Sequence, residues 1–551
     1  MKFGVKTGGQ HVVDGLIANG VKRLFCVPGE SYLAVLDALV DSNIDVITCR
    51  QEGGAAMMAD AHAKLTGETG ICFVTRGPGA TNASAGVHVA SQDSTPMILF
   101  IGQVARNHLG KEAFQEVDYQ QFFGGMSKAV FQPMSAADIP QVMADAFAIA
   151  QSCRMGPVIV ALPEDVLTET AEGPAAVASP DYPAPAAENM ASFVEMLSKA
   201  ERPIAILGGS GWDANSVLAF QTFAEKWALP VTVSFRRQML FDHMHANYAG
   251  DVGIGINQKL RKRIDDADLI LLVGGRLGEM PSQGYELLSI PRPKQKLIHV
   301  HSSTVEIGKV YEVDLGIVAT PVNFAAALES LHPNTARDGG AARAAHADYL
   351  AWSTPPEKQP GQLNMGEVMN WLEVNLDPDA IMTNGAGNYA TWLHRFHRFQ
   401  RFATQAAPTS GSMGYGLPAS VAAALAFPDR QTICFAGDGC FLMHGQEFAT
   451  AVKHKLPIIV LVINNNMYGT IRMHQERDYP ARVSATALTN PDFAALARAY
   501  GGYGETVKTT GEFAAAFKRA QLSGLPAILE LQIDPEAITP ARTLSQFRAG
   551  S

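Results

Sequence analysis

The sequence predicts an α/β protein made of three doubly wound, parallel-sheet domains. Its 551 residues exceed what one hydrophobic core organises, and roughly 150 to 190 residues per domain divides them into three. Short aliphatic runs bounded by glycine recur along the chain, the pattern of strands buried on both faces of a parallel sheet. Hydrophobic residues reach 47% and glycines number 50, which suits large cores joined by tight turns.

The first domain is expected over residues 1–178, with a strand over 45–49 and a helix over 53–64. It ends in a stretch rich in Ala, Pro and Glu, residues 168–187, that reads as a linker. The central domain, Rossmann-like and expected over 191–335, carries aliphatic strands at 203–207, 269–273 and 297–301. It fades into Pro, Gly, Ala and charged residues over 334–360. The third domain, 364–540, contains the clearest unit: a strand over 432–436, a helix over 446–455 with Phe448, Ala451 and Val452 on one face, and a strand over 458–463. These form one βαβ unit. No internal repeat is visible.

The net charge of −10 is not gathered into blocks, which argues against nucleic acid or another polyanion as partner. The six cysteines, Cys26, Cys49, Cys72, Cys153, Cys434 and Cys440, are scattered without CxxC pairs and read as structural thiols in a reducing compartment. The N-terminus carries no signal-peptide block, and no apolar run reaches the length of a membrane span. A soluble, cytoplasmic protein is expected.

The chemistry concentrates at Gly437-Asp438-Gly439-Cys440, with Asn464-Asn465-Asn466 after the next strand. Asp438 and Asn465 each fall just beyond a strand, where open α/β sheets bind ligands. Glycines beside Asp438 let backbone approach a diphosphate and turn N–H groups toward it. A carboxylate, an amide oxygen and a backbone carbonyl near Met467, completed by diphosphate oxygens and water, make the octahedral oxygen shell that magnesium prefers. Oxygen ligands without His or Cys argue against zinc. GDG alone would be better read as a turn with a helix-capping Asp. The spaced Asn run is what adds specificity.

The stretch 437–469, GDGCFLMHGQEFATAVKHKLPIIVLVINNNMYG, resembles the thiamine diphosphate motif of the acetolactate (acetohydroxyacid) synthase large-subunit family. VPGESYLAVLDAL (27–39), QEGGAAMMADAHAKLTG (51–67), VTRGPGATN (74–82), FIGQVARNHLGKEAFQEVD (100–118) and TSGSMGYGLPAS (409–420) match blocks of the same family in the same order. The resemblance covers nearly the whole chain and is weakest between about residues 179 and 363. It implies pyrimidine-binding, central and diphosphate-binding domains, with thiamine diphosphate and Mg2+ as cofactors.

By this resemblance Glu52 bonds N1′ of the cofactor's aminopyrimidine, a proton-sharing contact that lets the 4′ nitrogen deprotonate C2. An apolar pocket would raise its carboxyl and suit that exchange; by itself, a Glu opening a helix complements the helix dipole. Gln115 and Phe114 match positions facing C2, an amide to orient a carbonyl oxygen and an aromatic ring to exclude water. Pro28, Gly29, Gly77, Pro78 and Asn82 match the pyrimidine loops. Gly387, Asn388 and Gly411 match the other cofactor loops, Met413 the apolar wedge that bends the cofactor, and Gly469 and Thr470 the end of the diphosphate motif. Glu52 and Asp438 lie in different domains that the family joins across a subunit interface, which implies a homodimer or homotetramer.

The central domain departs from the family. The arginine that the synthases use for the second keto acid's carboxylate is replaced by Met280 in Gly274-Gly275-Arg276-Leu277-Gly278-Glu279-Met280, and His474 stands where a pocket-sizing Trp is expected. The segment LIHVHSSTVEIGK departs further and weighs against FAD; His299 and His301 read as ordinary strand residues. The expected activity is a 2-oxo acid decarboxylase/carboligase that forms a two-carbon enamine and transfers it to a second carbonyl, with pyruvate as default donor. The alternative within the superfamily is a 2-hydroxyacyl-CoA lyase or oxalyl-CoA-type decarboxylase. Glu52 argues against a glyoxylate carboligase, and the adjacent His pair of simple pyruvate decarboxylases is not evident. Outside the class stand a flavin or nicotinamide oxidoreductase, suggested by Gly208-Gly209-Ser210-Gly211 without a full GxGxxG fingerprint, and a non-catalytic relative, against which Glu52, Asp438 and Asn465 are all retained.

Overall fold

A computed structural model describes residues 4–333 and 337–550. Three six-stranded sheets, each parallel throughout, organise them. The first runs in spatial order Asp45–Thr48, Arg23–Cys26, Gly70–Val74, Met97–Gln103, Pro157–Pro163, Ala129–Phe131. The third runs Gln405–Ala406, Ile381–Asn384, Thr432–Gly437, Ile459–Asn464, Ala527–Gln532, Tyr503–Val507. Numbered within each domain, both orders are 2-1-3-4-6-5, so the two outer domains share a topology that no sequence repeat reveals. The central sheet has the Rossmann order 3-2-1-4-5-6, from Tyr248–Val252 at one edge to Leu315–Val318 at the other. The Gly208–Gly211 turn packs closely on the neighbouring strand end: a Cβ on Gly209, at φ +72°, would meet the Gly274 carbonyl at 1.8 Å.

Boundaries differ from expectation in three places. The stretch from Asp438 to Lys453 is broken into the helix Asp438–His444, a 3-10 turn Gly445–Glu447 and the helix Phe448–Lys453, so Asp438 itself opens a helix. In the expected linker, Thr170–Ala171 pairs antiparallel with Lys6–Thr7. The stretch after 334 includes the helix Gly340–Trp352, whose Ala345 and Tyr349 join the central domain's buried clusters; residues 334–336 lie outside the described residues.

The outer domains pack directly on one another. The helix Glu52–Thr66 lies against Gly416–Ala426 of the third domain, and both bury small side chains, Ala55, Ala59, Ala419 and Ala423 among them, in one continuous cluster. Small residues let these backbones approach closely. Five of the six cysteines are buried, with Cys153 exposed, and all are free. No described helix is long and apolar enough to cross a membrane.

Candidate cofactor and metal site

Asp438 follows the last residue of Thr432–Gly437, and Asn465 follows Ile459–Asn464, the adjacent parallel strand. Adjacent parallel strands in register bring the two residues to the same carboxyl end of the sheet, at its centre. Asp438 is only 3% exposed. Its carboxylate accepts the Gly439 N–H and the Asn490 amide, each at 2.8 Å. Burial raises its pKa; the Gly439, Asn490, Asn466 and Met467 donors oppose that shift. Asn465 Oδ1 accepts the Met467 N–H at 3.2 Å.

A cavity of about 240 Å3 opens on these groups. Gly387, Asn388, Gly411, Met413, Gly437, Asp438, Gly439, Cys440, Asn465, Met467, Gly469 and Thr470 all line it, so the third-domain residues expected to hold cofactor and metal meet at one place. Thr470 Oγ1 donates to Asn388 Oδ1 at 2.9 Å, fastening two of the loops. The glycines flanking Asp438 are held by rings of the protein: a Cβ on Gly437 would meet Tyr389 at 2.9 Å, and one on Gly439 would meet Tyr468 at 2.5 Å.

The donor set fits a hard divalent cation with a diphosphate. Asp438 makes no ion pair within 4 Å among the described residues, and Asn490 Oδ1 is buried without a partner. No three His, Cys, Asp or Glu side chains converge on a metal position among the described residues. A cation here would draw on one carboxylate, amide and backbone oxygens, and the ligand's own phosphates.

The first-domain residues form a second cluster at the carboxyl ends of their own sheet. Asn82 Nδ2 donates to Glu52 Oε2 at 3.0 Å. Glu52 opens its helix after the N-cap Gln51, and Pro78 opens the next after Gly77, the position where a missing N–H is harmless. Gly77, at φ +60°, lies so close to Gln115, itself at φ +65°, that a Cβ would meet Gln115 Cβ at 2.7 Å. Gly29 packs on Thr75. Within this chain Glu52 is half-buried and Pro28 and Asn82 are exposed, and Phe114 is 74% exposed, so the apolar enclosure expected for Glu52 is not provided by its own domain. None of these seven positions or Gln115 lines the Asp438 cavity.

Several neighbours escaped the sequence reading. Asn490 sits in Thr-Asn-Pro-Asp, where the true helix cap is Asp492, and nothing local marks it as the Asp438 partner. The Tyr389 hydroxyl shares a hydrogen bond with Cys440 Sγ at 3.1 Å and accepts the Gly385 N–H. His299 and His301 behave as strand residues: His299 Nε2 bonds the Gly275 carbonyl at 2.9 Å, and burial lowers both, His301 to about 4.

Comparison with known proteins fits this geometry. Residues 6–122, 190–328 and 385–531 match the N-terminal TPP binding, central and C-terminal TPP binding domains of thiamine pyrophosphate enzymes. Fold, cavity and domain matches together define a thiamine pyrophosphate enzyme. The chain is 32% identical to the acetolactate synthase large subunit of Parasynechococcus marenigrum (strain WH8102), over 90% of this chain and 82% of that protein. It is 31% identical to acetolactate synthase isozyme 2 large subunit of Escherichia coli (strain K12), over 96% and 95%. To the probable acetolactate synthase large subunit of Methanocaldococcus jannaschii it is 30% identical, over 97% and 93%. The chain belongs to the acetolactate synthase type of this family.

Proposed function

We propose that the protein decarboxylates a 2-oxo acid, pyruvate by default, and joins the two-carbon unit to a second carbonyl compound. The observation that carries this is the buried Asp438, without an ion-pair partner among the described residues, near Asn465 in a cavity that Met413 also lines. Asp438, Asn465 and the Met467 carbonyl would hold Mg2+ and the diphosphate. Thiamine diphosphate, when bound, supplies the electron sink that loss of carbon dioxide requires. Glu52 holds a proton at N1′ of the aminopyrimidine. Gln115 orients the reacting carbonyl oxygen, and Phe114 excludes water.

Glu52 lies outside the Asp438 cavity of its own chain, so a complete site takes Glu52 from a second copy. A homodimer, or a tetramer of such pairs, is the working assembly, in the cytoplasm. The large central cleft described below, about 850 Å3, favours one other reading, a lyase acting on 2-hydroxyacyl or oxalyl thioesters whose nucleotide would fill it.

Product analysis with Mg2+, thiamine diphosphate and pyruvate, alone or with aldehydes, acyl-CoA thioesters or FAD, separates these. Acetolactate from pyruvate alone supports the synthase activity. Carbon dioxide release only with another partner keeps the cofactor chemistry and moves the acceptor. No release from any 2-oxo acid, with turnover of a thioester, selects the lyase.

A further inference from the structure

Arg236 stands at a peculiar place. It follows the central strand Val231–Ser234 and is 5% exposed. Its backbone adopts φ +56°, a left-handed conformation that a long side chain takes only when its surroundings enforce it. Its Nη1 donates to the Pro408 carbonyl, and its side chain makes no ion pair within 4 Å among the described residues. Nε is buried without a partner. A guanidinium carries five donors that match a carboxylate bidentately, and leaving them unfilled in a buried site is costly. Burial accordingly lowers its pKa.

The cleft that Arg236 lines is the one that contains both departures from the family pattern, Met280 and His474. Its walls also include Gly387, Asn388, Gly411 and Thr470, which line the Asp438 cavity as well. Ser410, beside Gly411, lines the cleft with its Oγ buried and unpartnered. Among the described arginines there, Arg236 alone has a buried side-chain nitrogen without a hydrogen-bond partner. Arg237 donates to the carbonyls of Gly209, Arg236 and Asp93, Arg276 to that of Gln92, and Arg477 pairs with Asp478.

We infer that Arg236, with Ser410 of the same cleft, binds the carboxylate of the acceptor substrate, a small 2-oxo acid, in place of the arginine lost at position 280. The assignment rests on the carboligase reading above. It concerns the acceptor rather than the donor for a physical reason. A cation on the donor's carboxylate would stabilise charge that vanishes as carbon dioxide forms, favouring ground state over transition state. The acceptor keeps its carboxylate, so pairing it with guanidinium orients the acid without that penalty.

The test is calorimetric titration of Mg2+- and thiamine diphosphate-loaded protein with oxamate, an unreactive 2-oxo acid mimic, and with oxamide, its neutral counterpart. Oxamate affinity is expected to fall at least tenfold in Arg236→Gln and about threefold in Ser410→Ala, with Arg236→Lys closer to wild type; oxamide affinity stays within twofold throughout. Unchanged oxamate binding in Arg236→Gln, or none in the wild type, overturns the assignment. So does ADP binding that requires Arg236 while oxamate binding does not. Should Arg236→Gln not fold by circular dichroism, oxamate affinities unchanged in both Arg236→Lys and Ser410→Ala overturn it equally. Carbon dioxide release from pyruvate, measured in parallel, separates the two ideas: Arg236-dependent oxamate binding without release removes the donor assignment alone, and release with Arg236-independent binding removes this one alone.

Discussion

Glu447 of the third domain accepts, on a single oxygen, the backbone N–H groups of Arg50 at 3.0 Å and Gln51 at 2.9 Å. It therefore fixes the loop from which Glu52 emerges. Its other oxygen accepts the Thr450 hydroxyl at 2.6 Å, and it is fully buried. The helical segment that begins at Asp438 thus ends on the loop of the first domain that carries Glu52. The carboxylate is raised by burial, against which its hydrogen bonds act.

Glu447→Ala strands three donors in a buried site and is expected to destabilise the fold by about 3 kcal/mol, since each unsatisfied buried group costs about 1 kcal/mol or more. Glu447→Gln keeps an oxygen facing the two N–H groups and no longer buries a charge, so it should cost less. Urea denaturation of both variants gives the comparison. Equal losses would mean that the negative charge, rather than the acceptor oxygen, holds the loop. Gly54→Ala tests the same contact sterically, because its Cβ would sit 2.8 Å from Glu447 Oε1.

Asp438→Ala and Glu52→Gln should fail differently. The first removes the only carboxylate among the described residues lining the cavity and is expected to abolish Mg2+-dependent binding of thiamine diphosphate, read as loss of the ligand-induced rise in Tm. The second keeps a hydrogen-bonding side chain beside Asn82 and should retain binding while losing proton exchange at C2, followed by deuterium incorporation. Equal loss of binding in both would contradict the assigned roles.

Gln115→Ala should change the ratio of aldehyde released to carboligation product, because the amide is assigned to orient the reacting oxygen. The measurement is product partition at saturating pyruvate. An unaltered ratio would make Gln115 a structural partner of Gly77, whose backbone it already touches.

The Asp438–Asn465 part of the third-domain half was legible because it sits in one short βαβ unit, where strand ends and spacing determine who meets whom; Gly387, Asn388, Gly411 and Met413, which precede that unit, were legible only as a family likeness. Asp438, Asn465 and Met467 needed no long-range information. The first-domain half was legible only as a family likeness: Glu52 and Asn82 are joined across 30 residues, a distance that periodicity does not constrain. Asn490 and Arg236 were not legible at all. Asn490 looks like a helix-start residue, and Arg236 stands in a run, Phe-Arg-Arg-Gln, whose arginines differ only in what the fold leaves for each to bond. The Asp438 helix was missed because His444-Gly445 interrupts its period. The common topology of the outer domains lies in strand order, which side-chain sequence need not preserve.

A buried charge cluster joins all three domains. Lys64 bonds Asp60 at 2.7 Å and also Asp93, with the Tyr415 ring 4.7 Å away. Asp93 accepts the Thr409 N–H at 2.8 Å, and its carbonyl accepts Ser210 and Arg237 of the central domain. Lys64→Met leaves two buried carboxylates without their cation and should cost about 3 kcal/mol or more. Thr409 leads into the loop of Gly411 and Met413, so cofactor affinity should fall as well. Denaturation and cofactor titration of Lys64→Met check both; a neutral result would mean the carboxylates are adequately served by Arg237 and Tyr415.

The C-terminal helix Leu544–Arg548 is held by charge, and this sets its pH dependence. Glu476, 0% exposed, accepts Arg548 through Nε and Nη2, each at 2.8 Å, and also Arg472 and the Ala481 N–H. The Arg548 bonds, with the other donors, hold its carboxyl down at about 2. A carboxyl lower in the folded than the unfolded chain stabilises fully above its unfolded value, about 4.3. That contribution is lost as pH falls through about 2. Docking of Leu544–Arg548 should therefore be intact at pH 7 and weaken progressively below about pH 4. Glu476→Gln should loosen it at pH 7, costing about 2 kcal/mol for the lost charge-assisted bonds. Hydrogen exchange of residues 544–548 against pH reads this directly. Because Glu476 lies on the helix Gly469–Asp478, whose first residues line the cofactor cavity, undocking should also weaken cofactor binding. Protection factors, taken relative to the intrinsic exchange rate at each pH, that do not change between pH 7 and 3 would mean that apolar packing of Leu544, rather than the arginine pair, holds the terminus.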